Sequence, residues 1–175
     1  SVRLVAGDLR NFQLAEQFER VFLPYNALYC LLSKRDALGC FRSVHRALKP
    51  GGVFAFDVWN AAAFDNAAGS LPDDDEPIVS LSYGSRTWDV FERSRLRRAR
   101  KRLDVTYEYR PREGGVVHRI DIPQRYYLAA EVDELLERAG FAVQARYGTF
   151  SGGRFTARSA QQVVLARALR SFNAW

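Results

Sequence analysis

Methionine is absent from this 175-residue sequence, and cysteine and histidine occur only twice each. Two cysteines, Cys30 and Cys40, cannot build a disulfide framework or a cysteine-rich zinc site, so both are expected as buried or half-buried thiols. No apolar run approaches the ~20 residues a membrane span needs, and the start lacks the layout of a signal peptide. A cytoplasmic chain with no membrane partner is expected. The opening instead enters a strand-like pattern at once, with Val2, Leu4, Val5 and Ala6 directly after Ser1. Together with the missing methionine, this reads as a chain entered partway through.

What is present is ordinary globular composition, 47% hydrophobic and 26% charged, which argues against wholesale disorder. The length suits one domain with a proper core. A net charge of +6 raises anionic partners. However, seven of the 26 basic residues fall within residues 93–102, and the rest are scattered. A basic cluster at one hairpin reads as a solvated tip before it reads as a nucleic-acid surface.

Residues 47–60, Ala-Leu-Lys-Pro-Gly-Gly-Val-Phe-Ala-Phe-Asp-Val-Trp-Asn, organise the rest. Lys49, Pro50, Gly51 and Gly52 close a helix and reverse the chain. Val53, Phe54, Ala55 and Phe56 then form an apolar run with no polar face, the pattern of a parallel strand covered on both sides. Asp57, Trp59 and Asn60 sit at its carboxyl end, where open α/β sheets keep their ligand crevice.

Around that stretch, residues 2–6 read as a short buried strand ended by Gly7-Asp8. Residues 18–23 read as another, with Val21, Phe22 and Leu23 buried and Pro24 as the stop, so Tyr25 and Asn26 fall at a second carboxyl end. Ser33 and Asp36 have the spacing of a capping box. The helix they open carries Leu38, Phe41, Val44 and Leu48 on one stripe, with His45 at its edge as a structural residue. Residues 61–68 form a small alanine-rich helix, and the acids at positions 73–76 read as a solvated loop, so no metal is expected.

From residue 78 to 122 the period becomes two. Leu103, Val105, Tyr107 and Tyr109 alternate with Asp104, Thr106 and Glu108, which predicts an antiparallel meander with residues 93–102 as its basic hairpin. Residues 129–139 form an amphipathic helix stopped by Gly140. Residues 141–147 and 161–167 make a closing antiparallel pair.

Gly7-Asp8-Leu9-Arg10, residues 18–26, Leu48-Lys49-Pro50-Gly51-Gly52 with its strand, and Leu135 to Phe141 occur in the order and spacing of class I S-adenosylmethionine-dependent methyltransferases, which this chain resembles over nearly its whole length. The resemblance implies an α/β, Rossmann-like methyltransferase sheet whose first two strands are absent, with an inserted antiparallel β meander. Residues 1–60 and 128–175 would be the α/β core, and residues 78–122 a lid. It also implies S-adenosylmethionine as cofactor, with Asp8 and Leu9 at adenine and Tyr25 and Asn26 beside the sulfonium. Trp59, Asn60, Arg125 and Tyr126 would face a small-molecule methyl acceptor. Methyl transfer mostly needs positioning and exclusion of water, so no dedicated catalytic base is assigned.

The sequence departs from the family in having neither the glycine-rich loop after a first strand nor the acid ending a second, the parts that hold methionine and ribose. In the family's sheet those strands separate the third from the fourth, so residues 2–6 have no assigned neighbour and the strand at Val21 has an open edge. A truncated catalytic domain is the favoured reading. The other two are a remnant that binds nucleic acid or protein through residues 93–102, and a homodimer formed through the open edge.

Overall fold

The computed structural model describes residues 2–65 and 75–170. The chain divides into two compact units, Ser1–Asp65 with Tyr127–Trp175, and Asn66–Tyr126.

The first unit opens on strand β1 (Phe18–Leu23), followed by helix α1 (Lys34–Ala47), strand β2 (Leu48–Trp59) and the short helix α2 (Ala61–Asp65). It resumes after the second unit with helix α3 (Ala129–Arg138) and strands β7 (Phe141–Tyr147) and β8 (Gln161–Ala168). The four strands lie in the order β1-β2-β8-β7, with β1 parallel to β2 and the other two pairings antiparallel.

Local chemistry sets the ends of these elements. Pro24 stops β1. Ser33 Oγ caps α1 by accepting from the Asp36 amide at 3.0 Å. The capping box is only half built, because the Asp36 carboxylate takes the Ser33 hydroxyl at 2.6 Å instead of the Ser33 amide. Glu131 reaches back to the Leu128 amide at 3.1 Å and starts α3. Lys49, Pro50, Gly51 and Gly52, expected to close the helix and reverse the chain, instead lie inside β2, which follows α1 directly. Gly51, at φ +79, which a side chain rarely tolerates, sits at the irregularity between the Phe18–Leu48 and Arg20–Val53 pairs.

The core of this unit is a set of four phenylalanines. Phe54 and Phe56 of β2 meet Phe41 of α1, and Phe54 also meets Phe141 of β7, with centroid separations from 4.9 to 5.6 Å. His45 packs its ring edge-on to Phe141, and burial lowers its pKa, so it favours the neutral form.

Several expectations are corrected. Residues 2–6 form no strand, and Val2 and Leu4 are 90% and 92% exposed. An apolar run becomes a strand only where neighbouring backbone takes its hydrogen bonds, and none of the described strands pairs with it. Phe22 is exposed and not buried, because β1 is an edge strand. β2 is not covered equally on its two faces. Phe54, Phe56 and Val58 are buried, while Val53, Ala55 and Asp57 between them are half-buried. Cys30 is exposed, whereas burial pushes the Cys40 thiol up to about 12. The described part of the alanine-rich helix ends at Asp65, and the rest of it, with Asp73 and Asp74, lies outside the described residues.

The second unit contains strands β3 (Val79–Tyr83), β4 (Arg86–Arg97), β5 (Arg102–Pro111) and β6 (His118–Arg125), an antiparallel sheet in chain order. A 3-10 turn, Arg98–Arg100, joins β4 to β5. Arg93 and Arg95 therefore belong to the strand and not to the tip. Arg93 is paired with Asp75 at 3.3 Å and Arg97 with Asp104 at 2.6 Å. Glu108, which alternation places outward, is only 5% exposed. Arg110 and Arg119 close over its carboxylate at 2.5 and 2.9 Å, and Arg110 also stacks on Phe91 at 4.1 Å.

Candidate functional site

The carboxyl ends of β1 and β2 are tied to each other by side chains. After Pro24, both Tyr25 (φ 60) and Asn26 (φ 54) take the left-handed conformation. Asparagine tolerates this well, but for tyrosine it costs on the order of 1–3 kcal/mol, so the surroundings must hold it. They do so at three points. The Tyr25 amide donates to Asp57 Oδ1 at 3.0 Å, the Trp59 amide donates to Asn26 Oδ1 at 2.5 Å, and the Tyr29 hydroxyl donates to the Trp59 carbonyl at 2.7 Å.

These bonds decide which groups remain for a ligand. Asn26 and Asp57 each give their Oδ1 to a backbone amide, so both act as positioning residues for the two strand ends. Tyr25 is 90% exposed and Trp59 is 38% exposed, leaving two aromatic faces at adjacent strand ends. Aromatic faces attract cations by about 0.5–2 kcal/mol, depending on desolvation.

Asn60 corrects its assignment toward an acceptor. Its side chain is 3% exposed, and Nδ2 points at the carbonyls of Thr156, Ala157 and Ser159 at 3.3, 3.1 and 2.9 Å. Oδ1 accepts from the Ala62 amide at 3.3 Å. Asn60 therefore fastens the loop before β8 and presents nothing to a substrate.

Asp8 and Leu9 lie on a turn closed by the Asn11 amide donating to the Asp8 carbonyl at 3.2 Å. The Asp8 carboxylate accepts from the Arg10 amide at 2.9 Å and from the Arg10 guanidinium at 2.5 to 3.0 Å. Hydrogen bonds from Arg10 hold the Asp8 carboxyl down at about 2, so it is ionised at neutral pH. The turn lines a groove of about 510 Å³ with Cys30, Leu31, Leu32 and Asp36. Its other side lines a groove of about 650 Å³ with Val5, Phe12, Leu14 and Phe18.

Helix α1 carries this turn. A Cβ on Gly39 would stand 2.8 Å from the Arg10 carbonyl oxygen, closer than such contacts occur. Ser43 Oγ donates to the same oxygen at 3.4 Å. Gly39→Ala is therefore expected to lift the turn off the helix at a cost of about 1–3 kcal/mol. Amide exchange at Arg10 and Asn11 should accelerate in that variant more than exchange in β8. Uniform acceleration along the chain would contradict a local role.

In the second unit, Arg125 closes β6 and is half-buried. Tyr126 is fully buried, with its amide donating to the Lys101 carbonyl at 3.1 Å, so it is a packed ring and not an open pocket wall. In the first unit, Tyr127, to which the sequence pattern assigns no role, donates its hydroxyl to the Leu31 and Ser33 carbonyls at 2.5 and 3.0 Å and steadies the start of α1. Among the described residues no group of three His, Cys, Asp or Glu could hold a metal ion.

Sequence reasoning missed Asp57 and Tyr29 as the ties, and Arg10 as the Asp8 partner. The one available signal was Asn26, an asparagine two residues past a strand-ending proline, where left-handed backbone is common.

No protein-family model matches the chain. Cypemycin N-terminal methyltransferase from a Streptomyces species is 23% identical over 164 residues, covering 94% of this chain and 64% of that protein. The putative methyltransferase YqeM of Bacillus subtilis (strain 168) is 27% identical over 152 residues, covering 82% and 56%. Among solved structures, the CcbJ methyltransferase from Streptomyces caelestis superposes with a TM-score of 0.77 at 25% identity, covering 94% of this chain and 63% of that one. An S-adenosylmethionine-dependent methyltransferase from Clostridium acetobutylicum gives the same score of 0.77 at 17% identity, covering 97% and 65%. The chain spans less than two thirds of the length of each. The likeness establishes a Rossmann-like methyltransferase fold.

Proposed function

We infer that this chain, a relative of the class I S-adenosylmethionine-dependent methyltransferases in sequence and in fold, takes part in methyl transfer to a small-molecule acceptor. The observation that carries the reading is the tied pair of strand ends, which leaves Tyr25 and Trp59 as open aromatic faces in the unit that also holds the Asp8–Leu9 turn. When bound, S-adenosylmethionine supplies a methyl carbon made electrophilic by its sulfonium.

Asp8 and Leu9 fit the adenine end by their chemistry. An exocyclic amine beside a ring nitrogen asks for one acceptor and one donor in register, which a carboxylate and the next backbone N–H provide. Arg10 meets each Asp8 oxygen twice, with its Nε–H shared between the two, so an adenine amine would take the place of one of those shared contacts. Tyr25 offers its ring to the sulfonium, and Trp59 lines the acceptor side. The work of these residues is orientation and exclusion of water.

The sequence carries no glycine-rich loop for methionine and no second-strand acid for ribose, so this chain works as the adenine- and acceptor-facing part of a catalytic domain. Titration with adenosine and with S-adenosylhomocysteine, read by NMR, tests this. Both should bind at millimolar level and differ by no more than about threefold, because the methionine contacts are missing. Asp8→Asn should weaken both by about tenfold, the worth of one hydrogen bond to a charged group. Micromolar binding of S-adenosylmethionine would overturn the partial reading. Indifference to Asp8→Asn would overturn the adenine assignment.

A further inference from the structure

Helix α1 carries two arginines on the side that holds the Arg10–Asn11 backbone. Arg35, Leu38, Gly39 and Arg42 recur at spacings of three and four, so they share one face of the helix. Gly39 is where that face meets the Arg10 carbonyl. With Arg10, Asn11, Ser33 and Asp36, these four residues line one groove of about 660 Å³.

Charge in the groove is unbalanced. The Arg10 guanidinium is committed to Asp8 at 2.5 to 3.0 Å, and the Asp36 carboxylate takes the Ser33 hydroxyl at 2.6 Å. Two cations, Arg35 and Arg42, therefore stand against the single carboxylate of Asp36. Elsewhere on α1 the basic groups are engaged, Lys34 with Glu134 at 2.8 Å and Arg46 with Ser43 Oγ at 2.8 Å. Among the described residues Arg35 and Arg42 have no carboxylate within ion-pair reach, and Arg42 Nε is buried with no hydrogen-bond partner. The Asn11 side chain, exposed in the same groove, adds a neutral donor.

A buried guanidinium nitrogen without an acceptor carries a desolvation cost that an anion relieves. A carboxylate has two oxygens and is filled by one guanidinium fork. A phosphate group has at least three and can take two guanidinium groups and an amide together. We propose that this groove binds a phosphate-type oxyanion, with Arg42 and Arg35 as its charged donors and the Asn11 amide as the third. The groove adjoins the one of about 510 Å³, with which it shares Arg10 and Asp36 and whose other walls include Leu9, Leu31 and Leu32. A phosphate carried on an organic body has room there for the body, whereas the free ion gains nothing from it.

The proposal does not depend on methyl transfer, and its test reads binding alone. The isotope-labelled chain is titrated with inorganic phosphate and, separately, with phenyl phosphate, each against sodium chloride of matched ionic strength. Phosphate should saturate, moving the Arg42 Nε–H signal and the amides of Asn11, Arg35 and Gly39. Arg42→Gln should weaken both ligands by about tenfold, and Arg35→Gln, at an exposed position, by about threefold. Arg20→Gln removes the same charge from the exposed edge of β1 and should change neither affinity by more than about twofold. Phenyl phosphate that binds more than about threefold tighter than phosphate assigns the site to an organic phosphate, and a smaller gain assigns it to the free ion. Shifts that do not saturate, or equal losses in Arg20→Gln and Arg42→Gln, mean diffuse surface charge and overturn the proposal. Should Arg42→Gln fail to fold, the comparison of Arg35→Gln with Arg20→Gln decides.

Discussion

Phe54→Ala should remove about 3–5 kcal/mol of stability, the range for truncating a fully buried aromatic residue. Phe54 is 0% exposed and touches three other rings, at 5.3 Å to Phe41, 4.9 Å to Phe56 and 5.6 Å to Phe141. Those rings come from α1, β2 and β7, so no single element can shift to fill the void. A domain is stable by only ~5–15 kcal/mol in total, and a loss of this size leaves a large unfolded fraction at moderate urea. The consequence reaches the candidate site, because Asp57 and Trp59 sit three and five residues further along the same strand. Phe22→Ala is the control. Phe22 is 68% exposed on the edge strand, and its truncation should change stability by no more than about 0.5 kcal/mol. Urea denaturation of the two variants compares them directly, and a Phe54→Ala loss below about 1 kcal/mol would mean that the core closes around the gap.

The elements that sequence reading placed well are those whose limits are chemical and local. β1 runs from Phe18 to Leu23 because an apolar run meets Pro24, and α3 ends before Gly140 because glycine there takes φ +86. The elements misread are those whose state depends on a distant partner. Residues 2–6 have a strand's composition but no neighbour among the described residues to accept their hydrogen bonds. Val53 to Phe56 reads the same whether one face or both are covered, since alanine and valine serve equally on a half-covered face. Alternation places Glu108 outward, although Arg110 two residues on is in plain view. What hides the carboxylate is also Arg119, brought opposite it only by the β5–β6 register.

The same division holds at the candidate site. The strand expected before Gly7-Asp8-Leu9 does not form, whereas the positions of Tyr25, Trp59 and Asn60 at strand ends were legible, because proline and apolar runs mark where strands stop. What each side chain does there was not. Asn26 and Asp57 each commit an oxygen to a backbone amide across the β1–β2 pair, an outcome of the register that sets Leu23 beside Phe56. An exposed aromatic and a tied amide look alike as letters, and only the pairing separates a ligand-facing group from a positioning one.

Asn60→Asp should be more damaging than Asn60→Ala, although it changes one atom type and no volume. The Asn60 amide group is a donor aimed at three carbonyl oxygens, those of Thr156, Ala157 and Ser159. Alanine deletes the donor. The orphaned carbonyls belong to an exposed or half-exposed loop, where water can replace part of what is lost, so the cost is about 2–3 kcal/mol. Aspartate puts an anion against the same oxygens in a site 3% exposed, where neither water nor a cation relieves it, and the cost rises to about 3–5 kcal/mol. The sign with pH follows. Burial and the facing carbonyls raise the folded-state pKa of that carboxyl above its unfolded value, so the folded state binds the proton more tightly. The protonated acid can again donate to a carbonyl. Stability of Asn60→Asp should therefore recover as pH falls from 7 through its folded-state pKa toward the unfolded value near 4, while Asn60→Ala shows no such recovery. Denaturation at pH 7 and pH 5 measures the difference. Exchange of the Asn60 amide, which donates to the Ala160 carbonyl at 2.9 Å, should report the loop loosening in both variants at neutral pH. If the two substitutions prove equally costly at pH 7, the amide group is not the fastener of that loop.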